Sequence, residues 1–210
     1  MLYSDSLIFD MDGTLWDNVN TYVISWNKGL AQRGYHKQVT RDNILGLMGK
    51  EARVMLQSIL PRATAHEQDL LFDAVITEYQ KLLGEMNPVI YEGVLTGLER
   101  LSEKYPLFLL SNCEEGGLLN FMRHTKTTPL FLDYMEHGMN LQPKHHNLQL
   151  LIEKHGLKAP LYIGDTDSDS KQSELAGVPF VFVSYGFGET DSYSLKFDSF
   201  TALTTYFLHL

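Results

Sequence analysis

The sequence predicts an α/β fold: a doubly wound parallel sheet carrying an all-helical insertion after its first strand. Three observations predict it. Short apolar runs at 6–9, 107–110, 161–163 and 180–183 each end in small or polar residues. Helical periodicity fills much of the sequence between them. From about residue 16 to residue 85 the pattern stays helical, with no convincing strand. Alternation of strand and helix is the pattern of βαβ units, whose strands are covered on both faces and read as continuous apolar runs. The expected core is therefore a Rossmann-like parallel sheet.

Ser6-Leu7-Ile8-Phe9 is the first strand, and it stops at Asp10. Val19, Tyr22, Val23, Trp26 and Leu30 then fall on one helical face, in a helix expected to stop near Gly34. Thr64 and Glu67 form a capping-box pair ahead of Leu70, Leu71, Val75, Ile76, Tyr79, Leu82 and Leu83. Asn87-Pro88 begins the return to the sheet. The expected division is a core of 1–15 with 86–210 and a helical unit of 16–85. Leu107 to Leu110 is the second core strand, and Leu148, Leu151 and Ile152 precede the helix stop at Gly156. Leu161 to Ile163 is the third strand. A further helix ends at Gly177, with Pro179 just behind it, before the strand from Phe180 to Val183.

A chain of 210 residues that is 44% hydrophobic and 20% charged suffices for one core domain with a modest insertion. No apolar run approaches the ~18 residues of a membrane span, so no membrane partner is expected. The first ten residues do not read as a secretory signal, and the single Cys113 cannot form an internal disulfide. A cytoplasmic protein, monomeric or weakly dimeric, is expected. The net charge of −9 opposes non-specific binding to nucleic acid. A small anionic substrate stays open, provided that a bound cation or a few placed basic groups offset the charge.

Ligands of such sheets bind outside the carboxyl ends of the strands. There the sequence sets Asp10-Met11-Asp12-Gly13-Thr14, Ser111-Asn112 and Gly164-Asp165-Thr166-Asp167-Ser168-Asp169. Asp10 and Asp12, two apart on an extended chain, point to the same side. Two carboxylates held close raise one pKa or demand a cation. With Asp165 and Asp169 they offer the hard oxygen ligands that Mg²⁺ prefers. Taken singly, Asp12 and Asp165 would pass for helix caps or loop residues; their joint placement at strand ends argues for a site.

In this order the segments resemble the motifs of the haloacid dehalogenase superfamily. Asp10-Met11-Asp12-Gly13-Thr14-Leu15 is similar to the first motif, Leu110-Ser111-Asn112 to the second, and 164–169 to the fourth. The third is represented by Lys144. The usual Lys-Pro pair is replaced here by Gln142-Pro143, with the lysine following at once. The resemblance implies the superfamily's fold, with the helical insertion as a small cap of the kind found in phosphoglycolate-phosphatase-like members. It also implies phosphoryl transfer through an aspartyl-phosphate. Asp10 would be the nucleophile and Asp12 the general acid and base. Thr14, Ser111, Asn112 and Lys144 would bind phosphate or substrate. Mg²⁺ would lie on Asp10, the Asp12 backbone carbonyl and Asp165, with Asp169 behind them. The second acid at Asp12 argues against dehalogenase and phosphonatase chemistry, and Thr14 against the sugar-phosphate mutases. Hydrolysis of a small phosphomonoester is the leading reading. A sugar-phosphate mutase is second, and a non-catalytic phosphometabolite-binding protein third.

Other signals carry less. Cys113 is followed six residues later by Leu119, not the arginine of a cysteine phosphatase. Residues 46–50 depart from a P-loop, and Gly186 with Gly188 makes half of a dinucleotide fingerprint. His145 and His146 are adjacent at a helix start and splay apart, so zinc is not expected. Lys50 and Arg53, beside Gly49 in the insertion, are candidates for the non-phosphate end of a substrate.

Overall fold

The computed structural model describes residues 3–82 and 88–210. Its elements run β1 (Ser6–Phe9), β2 (Trp16–Asp17), α1 (Val19–Gln32), α2 (Arg41–Leu45), α3 (Ala52–Ile59), α4 (Ala65–Leu82), β3 (Val89–Ile90), α5 (Val94–Ser102), β4 (Leu107–Ser111), α6 (Gly117–Thr125), β5 (Phe131–Glu136), α7 (Lys144–His155), β6 (Pro160–Gly164), α8 (Asp167–Ala176), β7 (Phe180–Val183), β8 (Leu195–Phe197) and α9 (Phe200–Leu208). The chain divides into two compact units, Met1–Trp16 with Ile90–Leu210, and Asp17–Val89. The expected return at residue 86, like the expected helical Leu83 and the turn residue Asn87, lies outside the described residues.

The first unit is a six-stranded parallel sheet in the order β5-β4-β1-β6-β7-β8. Period-2 alternation splits its side chains between two layers. Leu7, Phe9, Leu107, Leu109, Leu161, Ile163, Val181 and Val183 pack with Leu98 of α5, Leu118 and Phe121 of α6, and Leu203 and Phe207 of α9. Ile8, Phe108, Leu110, Tyr162, Phe180 and Phe182 face the other way, onto Leu148 and Leu151 of α7. The central strand β1 is buried at every position, which is why its four residues show no polar alternation. The first strand therefore delivers Asp10 at the middle of one sheet edge, flanked by the ends of β4 and β6.

The second unit is helical, as the sequence predicts, with one correction. The insertion is not strand-free, because Trp16–Asp17 pairs with Val89–Ile90 in a two-stranded ladder. Two residues are too short to leave a period-2 signal. The Thr64–Glu67 capping box is present, with the Thr64 N–H donating to Glu67 Oε2 at 2.7 Å and the Glu67 N–H to Thr64 Oγ1 at 3.3 Å. Inside this unit Tyr22 of α1 stacks on Tyr79 of α4 with centroids 5.1 Å apart.

Strands β5 and β8 go beyond the expected four core strands. Both are sheet edges. β5 carries Asp133 and Glu136 among its apolar residues and leaves Leu132 exposed, so no continuous apolar run marks it. No helix among the described residues is long and apolar enough to cross a membrane.

Candidate active site

Asp10 leaves β1 in a turn that Gly13 makes possible. Gly13 has φ +85°, and a Cβ on it would stand 2.1 Å from Asp165 Oδ2. Both the backbone conformation and the close approach demand glycine. Asp165 follows β6. Its Oδ2 accepts the Phe187 N–H at 2.7 Å and its Oδ1 accepts the Thr14 hydroxyl at 3.3 Å. A Cβ on Gly186 would lie 2.3 Å from Asp165 Cβ and 2.4 Å from the Gly13 carbonyl oxygen. The loop after β7 thus presses on Asp165 and on the turn after β1 together. Gly186 and Gly188, which look like a broken nucleotide fingerprint, belong to this buttress.

Asp169 stands in the first turn of α8. Thr166 caps that helix, and its N–H and hydroxyl both donate to Asp169 Oδ2, at 3.1 and 2.6 Å. Lys144 opens α7 and is the shared partner. Its Nζ donates to Asp10 Oδ1 at 3.0 Å and to Asp169 Oδ1 at 2.7 Å, and all three side chains are at most 5% exposed. The Tyr162 hydroxyl adds a 3.1 Å bond to Asp169 Oδ1. Gln142, at the more usual lysine position, turns to solvent. The shifted lysine is therefore the one that reaches the site.

Electrostatics follow from that arrangement. Burial pushes the Asp10 carboxyl up, and Lys144 only partly offsets this against the charges of Asp169 and Asp12, leaving it at about 7. Burial also raises Asp165, reinforced by Asp169 and Asp10. Burial works against Asp169 as well, but the Lys144 charge and the bonds from Lys144, Thr166 and Tyr162 hold its carboxyl below the ordinary range. Against its own burial, Lys144 is raised by Asp10 and Asp169 and stays charged. One cation thus faces three buried carboxylates, whose nearest oxygens lie within 4.8 Å of one another. When ionised, the cluster carries surplus negative charge on hard oxygen donors, and a small divalent cation suits it by offsetting the charge that burial opposes. Each Asp169 oxygen already accepts two protein donors, whereas each Asp165 oxygen accepts one and Asp10 Oδ1 accepts Lys144, so Asp10 and Asp165 are the better placed to ligate.

The remaining expected residues fall around this cluster. Asp12 is half-buried and accepts the Trp16 indole N–H at 2.9 Å. Thr14, expected to meet substrate, is buried and gives its hydroxyl to Asp165. Ser111 ends β4, buried, and Asn112 follows it, half-buried. Lys50 lies in the helical unit, exposed, between α2 and α3, and Arg53 pairs with Asp69 at 2.8 Å. His145 is bound to Gln172, with Nδ1 2.8 Å from Oε1. Three features escaped the sequence reading: Tyr162, Phe187 and Glu136. The first is hidden in an apolar strand. The second acts through its backbone.

A parallel α/β sheet with a carboxylate nucleophile candidate after its first strand, an opposed lysine and a further acid pair defines a hydrolase of the haloacid dehalogenase type. The chain belongs to the haloacid dehalogenase-like hydrolase family, whose model matches residues 7–183. Within it the chain is a phosphatase of the phosphoglycolate-phosphatase-like branch. It is 31% identical to a phosphoglycolate phosphatase of Rhodobacter capsulatus over 210 residues, covering 94% of each chain. It is 28% identical to one of Agrobacterium fabrum, covering 94% of this chain and 89% of that one. A haloacid dehalogenase-like hydrolase from Streptococcus pneumoniae shares the fold with a TM-score of 0.86 at 19% identity, covering 99% of this chain and 100% of that one.

Proposed function

We propose that this phosphatase hydrolyses a small phosphomonoester, such as phosphoglycolate or a sugar phosphate, by way of an aspartyl-phosphate on Asp10. The observation that carries the reading is the buried Asp10–Lys144–Asp169 bridge beside Asp165. It sets a nucleophilic carboxylate against a fixed cation at the carboxyl end of the central strand.

In the first step an Asp10 carboxylate oxygen attacks phosphorus and the bond to the leaving oxygen breaks. Asp12, oriented by the Trp16 indole N–H, gives that oxygen its proton. In the second step Asp12 takes a proton from water as the water attacks phosphorus, which frees Asp10 and releases inorganic phosphate. Lys144 and Ser111 hold the phosphoryl oxygens, Asn112 orients the substrate, and Thr14 steadies Asp165. Asp10, Asp165 and the Asp12 carbonyl would hold Mg²⁺, with Asp169 behind them. When bound, the ion supplies the positive charge that lets a dianion approach the carboxylates.

The test is turnover of p-nitrophenyl phosphate with Mg²⁺, followed by a panel of phosphorylated metabolites that includes phosphoglycolate. Excess chelator should stop the reaction and Mg²⁺ should restore it. Asp10→Asn, isosteric but a poor nucleophile, should fall below about a hundredth of wild-type activity. Activity above that level in the variant would remove Asp10 as the nucleophile.

A further inference from the structure

Glu136 has no part in the motifs that define the family resemblance, yet it is among the most buried charged residues of the chain. It ends β5 in register with Ser111 of β4. Both of its oxygens are in use. Oε1 accepts the Gly116 N–H at 2.6 Å. Oε2 accepts the Leu118 N–H at 2.8 Å and the Cys113 thiol at 3.5 Å. The Ser111 hydroxyl also acts on the Cys113 sulfur, favouring its ionised form. A chain of contacts therefore runs from the Glu136 carboxylate through a thiol to the hydroxyl assigned to the phosphoryl group. Burial, with Glu136 and Asp12 beside it, pushes the Cys113 thiol well up, so the sulfur keeps the proton that this chain needs.

The same carboxylate satisfies the N-terminal turn of α6, whose N–H groups would otherwise need outside partners. The positive end of α6 is consequently spent inside the protein. A second tie fixes the same loop: the Gly138 N–H donates to the Cys113 carbonyl at 3.2 Å. A Cβ on Gly138 would stand 2.0 Å from the Glu115 nitrogen. Segment 112–117 is thus folded around a residue that belongs to the edge strand.

We propose that Glu136 is a positioning residue for the phosphoryl-binding loop, setting where Ser111 and Asn112 stand; the inference rests on the phosphatase reading above. Gln at this position offers one carbonyl acceptor to two backbone N–H groups and a thiol, so the loop loses a fixed partner. Glu136→Gln should raise the inhibition constant for inorganic phosphate about tenfold and lower kcat/KM in parallel, the scale of one charged hydrogen bond. Half-saturation by Mg²⁺ should change by less than about twofold, because the carboxylates assigned to the ion follow β1 and β6. Gly138→Ala leaves the carboxylate intact but presses on the same loop, and should move the phosphate constant in the same direction.

The measurements are steady-state inhibition by phosphate with p-nitrophenyl phosphate at saturating Mg²⁺, and phosphate binding by calorimetry. Should the Gln variant fail to fold, the Gly138 variant decides. Loss of thermal stability with an unchanged phosphate constant would make Glu136 purely structural and overturn the proposal. An inactive wild-type protein would instead defeat the phosphatase reading itself, which keeps the two failures apart.

Discussion

The exposed ion pairs of the helical unit and the buried one of the α/β unit do different jobs. In the helical unit Arg53 meets Asp69 with side chains 59% and 55% exposed, and Lys28 and Lys81 reach Glu78 from solvent. Water screens such pairs and side-chain entropy opposes them, so each contributes about 0–1 kcal/mol. In the α/β unit Lys144 is sealed between Asp10 and Asp169. Desolvation there can exceed the attraction gained, and an apolar replacement of the whole set is often as stable. A buried cation among surplus carboxylates is therefore poorly explained as a device for stability. Its placement makes sense as a preorganised charge for a reaction, held ready so that nothing must reorient when substrate arrives.

The sharpest way to break that contrast is to remove the buried cation. Lys144→Ala should lower kcat by about 10²–10³-fold, the loss seen when a preorganised stabilising group is deleted. In chelator it should also cost about 3–5 kcal/mol of stability, as when one partner of a buried pair is removed. Steady-state kinetics and urea titration measure the two effects. Gln142→Ala serves as the control, with less than about a tenfold change in kcat, because that side chain faces solvent. A silent Lys144→Ala would mean that the cation assisting phosphoryl transfer lies elsewhere. Lys154 and Lys171 are poor substitutes, since each is already paired at the surface, with Asp133 and Asp167.

A smaller effect is expected from the loop that buttresses the cluster. Gly186→Ala places a methyl group where Asp165 and the Gly13 carbonyl stand. The carboxylate must shift, and half-saturation by Mg²⁺ should rise about tenfold or more, on the scale of a disturbed ligand support. Metal titration followed by calorimetry, independent of turnover, reads this directly. An unchanged metal constant would show that Asp165 does not need that wall.

The smallest effect belongs to the exposed pair. Arg53→Ala should change stability by less than about 1 kcal/mol, and the difference should shrink as salt is added. A loss as large as that of Lys144→Ala would erase the distinction between the two units.

Much of this arrangement is legible in the residues. The central strands announce themselves because burial on both faces leaves Ser6–Phe9, Leu107–Ser111 and Phe180–Val183 almost without polar interruption. The acids follow those runs directly, so their positions come with the strands. The edge strand β5 does not announce itself. One side of it lacks a neighbour, and Asp133 and Glu136 interrupt its apolar pattern. With that strand unmarked, no sequence pattern singles out Glu136, the residue around which the loop after Ser111 is folded. Thr14 shows a different limit. Its place in the first motif is plain, but the direction of its hydroxyl depends on Asp165, 151 residues away.

The sequence by itself determined the strand ends and their chemistry: Asp10 and Asp12 after the first strand, Ser111 after the second, Asp165 and Asp169 after the third, and a lysine two residues past its usual place. Local chemistry suffices for that, since strand burial and turn-forming glycine are written in adjacent residues. Only the tertiary structure decided how the charges are shared. Lys144 is 134 residues from Asp10 and 25 from Asp169, yet one ammonium bonds both. Contacts across such separations leave no periodic trace in the chain; they exist only once the parallel sheet has brought the carboxyl ends of β1 and β6 to a common edge, with the start of α7 against them.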